Sequence, residues 1–275
     1  MFSSLPVRAA LGLALAFALV GPALTAVTGT GDVVEASSGP TFATHGSRAT
    51  KTIAITIDDC DNETAVTALL KIVRDAHVNA TWFCIGKVVA ADPAFWKNWA
   101  LAGYPMANHT YYHTSLTAKS YSAIVAELKL DNSVVTRIIG RPMLPVLRPM
   151  GGNVNSTVIA AAGAAGEKLV LNWDVSICDT SVLTQHTVAA IARYVAQLTL
   201  NGERGTNGSV ILMHAKGPYT QQALPAILAY YQARGYQFVT VGQMFGLGGV
   251  VPFPAQVSRS ASTPIPGNPT PIIWR

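Results

Sequence analysis

The sequence predicts an α/β protein in which short buried strands alternate with helices, the pattern of a parallel sheet or α/β barrel. Three observations carry this. Short apolar runs recur at Thr52–Ile57, Thr81–Ile85, Val146–Leu147, Lys168–Trp173, Ser209–Met213 and Gln237–Val241. Segments with helical spacing of apolar residues fall between them. Residues able to do chemistry, Asp58, Asp59, Arg148, Asp174, Asp179 and His214, stand at or just past the carboxyl ends of the runs. Barrel folds gather functional loops at that face.

The elements read in order as follows. Arg8 precedes the uncharged stretch Ala9–Val20, and small residues at Ala23–Ala26 suit a signal peptidase, so residues 1–26 read as a cleaved signal peptide. The alternative is an uncleaved anchor over Ala9–Val27, since about 20 apolar residues span a bilayer. Either way the domain is exported, to the medium or the cell envelope. Residues 27–50 are small and polar and read as a linker. One domain follows, residues 51–249. Its first strand, Thr52–Ile57, leads to a helix over Glu63–Ala76 with Val66, Leu69, Leu70, Ile72 and Val73 on one face. A strand at Thr81–Ile85 precedes a helix over Pro93–Ala102 that Gly103 stops. The segment Tyr104–Ala107 leads to His109, and a long helix runs from Tyr121 to Ile139 before Gly140. Later helices are expected at Ser156–Ala165, Thr187–Leu198 and Leu224–Ala233. In the tail, residues 250–275, Pro252, Pro254, Pro264, Pro266, Pro269 and Pro271 rule out regular packed structure.

A chain that is 50% hydrophobic and 12% charged is globular rather than disordered. Without Arg8, 18 basic residues face 14 acidic ones, a net charge of +4. No Lys/Arg-rich run exists, so the charge gives no reason to expect nucleic acid as a partner.

Asp58 and Asp59 are adjacent carboxylates at a strand end, where alternation sends neighbouring side chains to opposite faces unless the chain turns. One can then bind a metal while the other handles protons. His109 and His113, four apart, supply imidazole donors. Each has an ordinary structural reading as well. The Asp pair could open the next helix, and the two histidines share a helical face with or without a metal. His214 ends a buried strand and could be a satisfied core histidine. Its exit into Ala215-Lys216-Gly217-Pro218 suits a general acid with a pKa near neutrality. Arg148 could be a surface residue before a turn, but Gly151 and Gly152 follow and can offer a backbone N–H to an oxyanion. His45, His77 and His186 lack such settings and read as surface or linker residues. The combination of paired carboxylates, two imidazoles, an Arg and a distant His points to metal-assisted hydrolysis.

From Lys51 to Phe245 the sequence resembles the polysaccharide deacetylases, the NodB-homology domains of carbohydrate esterase family 4. The family's Thr-Phe-Asp-Asp-Gly is Thr56-Ile57-Asp58-Asp59-Cys60 here, and His-Ser/Thr-x-x-His is His109-Thr110-Tyr111-Tyr112-His113. Arg-Pro-Pro-Tyr/Phe-Gly becomes Arg148-Pro149-Met150-Gly151-Gly152, and Leu-x-His is Leu212-Met213-His214. The resemblance implies a distorted (β/α) barrel. It implies Asp58 as general base, Asp59, His109 and His113 as metal ligands, and Arg148 orienting Asp58. It also implies Gly151 N–H at the oxyanion, Leu212 lining the acetyl-methyl pocket, Asp179 tuning His214, and His214 as general acid. In the family's Trp-x-x-Asp-x-x-Asp-Trp motif, Trp173 and Asp179 are kept, while Ser176 replaces the first Asp and Thr180 the last Trp. Gly151 stands for an aromatic residue and Cys60 for a glycine, so the pocket should be wider than the family's.

The resemblance thus implies a metal-dependent N-deacetylase acting on N-acetylglucosamine polymers such as peptidoglycan, chitin or an exopolysaccharide. Zinc is the expected metal, with cobalt or manganese as alternatives. Competing readings are an O-acetyl xylan esterase, a carbohydrate-binding protein with weakened turnover, and a cyclic-imide or ureide hydrolase on the same fold. Tyr111, Tyr112 and Trp96 are candidate sugar-stacking residues, and a monomer is expected. On this fold Cys60 and Cys178 both fall in loops near the site, so they are the expected disulfide, with Cys84 left as an inert core thiol. Asn108, one of five residues in glycosylation sequons, adjoins His109 and should be unmodified.

Overall fold

The computed structural model describes residues 39–177, 179, 206–216 and 218–253. The leader or anchor over residues 1–26, residues 27–38, Cys178, Thr180, His186, the helix expected at Thr187–Leu198 and the tail beyond residue 253 lie outside these residues.

The strands are β1 (Thr41–Ala43), β2 (Thr52–Asp59), β3 (Ala80–Cys84), β4 (Met106–Asn108), β5 (Leu144–Leu147), β6 (Leu169–Leu171), β7 (Val175–Ser176), β8 (Ser209–His214) and β9 (Gln237–Phe238). They form one sheet in the order β1-β6-β5-β4-β3-β2-β8-β7, with β9 also paired to β2, and the strand pairings are parallel. The helices are α1 (Glu63–Asp75), α2 (Gly86–Ala91), α3 (Pro93–Ala100), α4 (Tyr121–Ile139), α5 (Ser156–Ala165), α6 (Pro218–Ala233) and α7 (Val241–Phe245). This is the distorted (β/α) barrel of the NodB-homology type.

Local chemistry sets the helix ends. The side chains of Asn62, Asp92, Ser120 and Asn155 each accept a backbone N–H in the first turn of α1, α3, α4 and α5. The helix after the Asp pair is therefore opened by Asn62, which leaves both carboxylates free of capping. Gln237–Val241 differs from the expected single strand. Only Gln237–Phe238 pairs, because Thr240 and Gln243 form a capping box that starts α7 at Val241.

Alternation along the strands divides the core. Ile53, Ile55 and Ile57 of β2 pack with Val66, Leu69, Trp82, Trp96, Trp99 and the apolar face of α6, on the helical side of the sheet. Ala54 and Phe83 face the inside of the curl with Ala107, Val146, Leu171 and Val210. A fully buried Ile contributes about 1.5–3 kcal/mol. The polar side chains of Thr56 and Asp58 continue that inner row to the sheet's carboxyl edge.

Residues 40–50, read as part of a linker, are structural. Thr41–Ala43 pair with β6, and Gly46 N–H donates to the Gly208 carbonyl at 2.8 Å, next to an isolated bridge between His45 and Ser209. Arg48 pairs with Asp174 at 2.8 Å. Asp174 also accepts from Ser209 Oγ and Val210 N–H, so it ties this segment to β8. The backbone does the pairing, which small polar composition does not reveal. Gly208 (φ 72°) leaves room for the approach, since a Cβ there would lie 2.3 Å from the Ser47 carbonyl oxygen. At the other end Phe253, in the stretch read as a Pro-rich tail, docks on His77 and Tyr104 and exchanges backbone hydrogen bonds with the Asn79 side chain.

Candidate active site

Asp58 ends the inner row of β2 and is 2% exposed. Its Oδ1 accepts from Arg148 Nη1 at 2.8 Å. Arg148 follows β5 and is fully buried. Its remaining donors reach the Leu171 and Asn172 carbonyls at 3.1 and 3.2 Å and Thr56 Oγ1 at 2.7 Å, and it lies 4.1 Å over the Phe83 ring. Burial pulls the Arg148 pKa down and outweighs the upward pull of Asp58. A guanidinium stays charged regardless. The pair is therefore a buried ion pair with the fork satisfied, the geometry in which such pairs hold position.

Asp59 is next in β2, yet it does not face away. It takes a left-handed conformation (φ 67°), as does Cys60 (φ 64°), and the turn brings Asp59 to the same histidine that Asp58 faces. His109 Nε2 lies 3.2 Å from Asp59 Oδ1 and 3.8 Å from Asp58 Oδ2, and His113 Nε2 lies 3.1 Å from Asp59 Oδ1. Burial raises the Asp59 pKa, but hydrogen bonds from His109, His113 and Lys216 outweigh it and hold this carboxyl well below the usual range. His109 Nδ1 sits 2.7 Å from the Arg148 carbonyl oxygen, to which it can only donate, so in the neutral ring Nε2 is the nitrogen whose lone pair is open to a metal.

One donor atom each from Asp59, His109 and His113 lies within 4.8 Å of the other two, and among the described residues they are the one such group. Two imidazoles and a carboxylate, with one imidazole held in the right tautomer, fit a divalent metal of the zinc type with open positions for substrate.

The two histidines do not share a helix, as their spacing suggested. They lie in a loop after β4 that reverses through left-handed residues at Thr110 (φ 65°) and His113 (φ 57°). Hydrogen bonds hold this loop: Thr110 N–H to Asn108 Oδ1, His113 N–H to Thr110 Oγ1, and Tyr112 N–H to Glu127 of α4. Asn108 is itself buried and donates to Asn132 Oδ1, Glu167 and the Leu128 carbonyl. A buried sequon Asn cannot carry glycan in the folded protein. Burial raises the Glu167 carboxyl to about 7 although Asn132 and Asn108 pull it down. Burial likewise raises that of its neighbour Asp131.

Across the strand pair, His214 is the Cα partner of Asp58. Its Nδ1 meets Asp179 Oδ1 at 2.8 Å, and the other Asp179 oxygen accepts from His214 N–H and Thr220 Oγ1, both at 2.6 Å. Burial lowers the His214 pKa, but Asp179, helped by Asp58 and Asp59, raises it above the ordinary value.

Around this centre, Leu212 is buried and in register with Thr56 on one side and Ser176 on the other. Gly151 is exposed in the turn Met150–Gly152 with φ 62°. Trp173 is half-buried beside Gly152, and Tyr112 is 51% exposed. Trp96, a stacking candidate on sequence, is fully buried between Phe95 and Trp99 and offers no face to a sugar.

The expected Cys60–Cys178 disulfide is not formed. Cys60 bonds Cys84, with a Cα–Cα distance of 5.1 Å, because β2 and β3 place Asp59 and Cys84 opposite each other. Cys84 is thus no inert thiol. Sequence reasoning also passed over Lys216, whose ammonium lies 2.7 Å from Asp59 Oδ2 and 3.6 Å from Asp61, and Thr220, Thr56 and Glu127. Lys216 was visible as the second residue after His214, and the others carried no local signal.

Comparison with known proteins agrees with this geometry. The family model for polysaccharide deacetylases matches residues 45–170. A peptidoglycan-N-acetylglucosamine deacetylase of Bacillus cereus is 29% identical over 70% of this chain and 88% of its own length. A bifunctional xylanase/xylan deacetylase of Cellvibrio japonicus is 33% identical over 69% of this chain, and the match spans 27% of that relative. Among solved structures, a family 4 carbohydrate esterase from Streptomyces lividans in complex with acetate is 26% identical, with a TM-score of 0.58 over 70% of this chain and 92% of that one. The chain belongs to the polysaccharide deacetylase family, carbohydrate esterase family 4.

Proposed function

We propose that the protein is an exported, metal-dependent N-deacetylase that removes acetyl groups from N-acetylglucosamine-containing polysaccharide. The observation that carries this is the convergence of two separately built groups. The Arg148-held carboxylate Asp58 and the donors Asp59, His109 and His113 meet at one imidazole, opposite the His214–Asp179 pair.

A divalent cation held by Asp59, His109 and His113 would polarise the acetyl carbonyl and acidify a water there. Asp58, fixed by Arg148, takes a proton from the attacking water as its oxygen bonds to the acetyl carbon. The Gly151 N–H supports the oxygen on which negative charge collects. His214, kept protonated by Asp179, gives its proton to the amide nitrogen as the C–N bond breaks, leaving acetate and a free amine. Leu212 and Trp173 bound the space for the acetyl methyl, and Tyr112 offers an exposed ring to a sugar. Zinc suits the donor set, with cobalt or manganese able to substitute. The names of the Bacillus and Cellvibrio relatives support a cell-wall or plant-wall polysaccharide. The xylan deacetylase makes an O-acetyl ester the second reading, because the same groups serve an easier leaving group.

Acetate release decides it, measured on acetylated chitooligosaccharides, peptidoglycan and acetylated xylan, with metal-stripped protein and with zinc or cobalt restored. Metal-dependent acetate from the first two supports N-deacetylation, and acetate from xylan alone moves the assignment to the esterase. Activity untouched by a chelator sinks the metal reading.

A further inference from the structure

Among the described residues, five other than glycine adopt left-handed conformations: Asp59, Cys60, His77, Thr110 and His113. Four of these lie in the two segments that present Asp59, His109 and His113. The Asp59–Cys60 turn is the more demanding, because two side-chain-bearing residues in succession take a conformation that L-residues avoid. It is also what brings Asp59 to the histidines. With regular alternation Asp59 would point to the helical side with Ile57, away from Asp58. The family pattern places glycine, which takes this conformation without penalty, where this chain has Cys60.

We infer that the Cys60–Cys84 disulfide is a positioning crosslink for the metal site, holding the left-handed Asp59–Cys60 turn in place of the family's glycine. The bond joins the residue after Asp59 to Cys84, the strand partner of Asp59, and both cysteines are fully buried. The backbone agrees with this anchoring. Cys60 N–H donates to the Asp58 carbonyl at 2.9 Å, and Ile85 N–H to the Asp59 carbonyl at 3.1 Å. The crosslink thus ties the turn to the floor of β3, and the carboxylate it aims lies 3.2 and 3.1 Å from His109 and His113. Cys60 and Cys84 are positioning residues, acting on the metal site through the turn that carries Asp59.

The inference rests on the metal reading above, and its test separates the two. Three double variants remove the bond and leave Cys178 alone: Cys60→Gly/Cys84→Ala, Cys60→Asn/Cys84→Ala and Cys60→Ala/Cys84→Ala. All three lose the crosslink's effect on the unfolded chain alike, so thermal stability falls in each and does not discriminate. Zinc affinity, read by competition with a chromophoric chelator, does discriminate. The glycine pair should bind zinc within about threefold of the native protein and the alanine pair roughly tenfold more weakly, with asparagine between, following each residue's tolerance of the left-handed region. Should the alanine pair fail to fold, the order of glycine before asparagine carries the same test. Equal affinity in all three, native or uniformly weakened, overturns the inference while leaving the metal site standing. Absence of stoichiometric zinc in the native protein instead overturns the metal reading itself.

Discussion

Asp58 and His214 face each other as partners on adjacent strands, yet their surroundings differ. Asp58 is buried against a guanidinium that also hydrogen-bonds Thr56 of β2, Leu171 of β6 and Asn172 just beyond it, so its position is fixed. The His214 side chain is 17% exposed, and its ring is held by the Asp179 carboxylate at 2.8 Å. A base that must meet water at one place benefits from rigidity, and an acid that must be reloaded with a proton benefits from reaching solvent. Under the proposed mechanism the two sides of the site would serve different parts of one reaction.

The sharpest test of that contrast is Asp58→Asn. The amide keeps the shape and leaves Asp59, His109 and His113 in place, so zinc stoichiometry should hold while kcat falls roughly 10²–10⁴-fold. Full turnover with metal bound would remove Asp58 from the role of base.

On the acid side, Asp179→Asn should have a smaller and pH-dependent effect. Because Asp179 raises the His214 pKa, the donating form persists to higher pH than for an ordinary histidine. Losing the negative charge lowers that pKa, so the alkaline limb of the kcat profile should move down, with kcat at pH 7.5 reduced roughly 10–100-fold. An alkaline limb that stays where it was would mean that another group supplies the proton.

The same contrast explains what could be read from the sequence. The sheet and most helices were legible because Ile53, Ile55, Ile57 and the α1 stripe follow simple periods. Asp58, Asp59, His109, His113, Arg148 and His214 were legible because they stand at strand ends in recognisable order. Backbone-driven features were not. Residues 40–50 close the sheet through backbone pairing that composition cannot signal. The loop path of His109–His113 depends on hydrogen bonds to the Asn108 and Thr110 side chains and to Glu127 in α4, which periodicity does not signal. The disulfide was misassigned because loop position was weighed and strand register was not. Cys84 becomes the partner of Cys60 only when β2 and β3 are laid side by side.

The buried network behind the metal loop extends the comparison to stability. The Glu167 carboxyl rises to about 7 in the folded protein from 4.5. A raised folded value contributes stability that is complete below the unfolded pKa and is lost as pH rises through the folded one. Metal-stripped protein should therefore lose about 1–3 kcal/mol from this group between pH 4.5 and 8. Glu167→Gln cannot titrate, so its urea midpoint should fall less over that interval. Parallel trends for the two proteins would show that Glu167 ionises normally.

The smallest expected effect lies at the rim, where sequence reasoning named three aromatic residues and structure separates them. Trp96 is sealed in the core, Tyr111 is half-buried against Tyr112 with ring centres 4.8 Å apart, and Tyr112 alone of the three is more than half exposed. A ring that touches a sugar remote from the bond being broken holds substrate and transition state about equally, so its loss raises KM and spares kcat. Tyr112→Ala should raise KM for chitooligosaccharides by roughly three- to tenfold, about 1 kcal/mol, with zinc binding and kcat unchanged. Because Tyr112 N–H also anchors the loop through Glu127, the substitution keeps the backbone bond and tests the ring by itself. A fall in kcat at constant KM would place the ring's contribution at the reacting centre instead of at a neighbouring sugar.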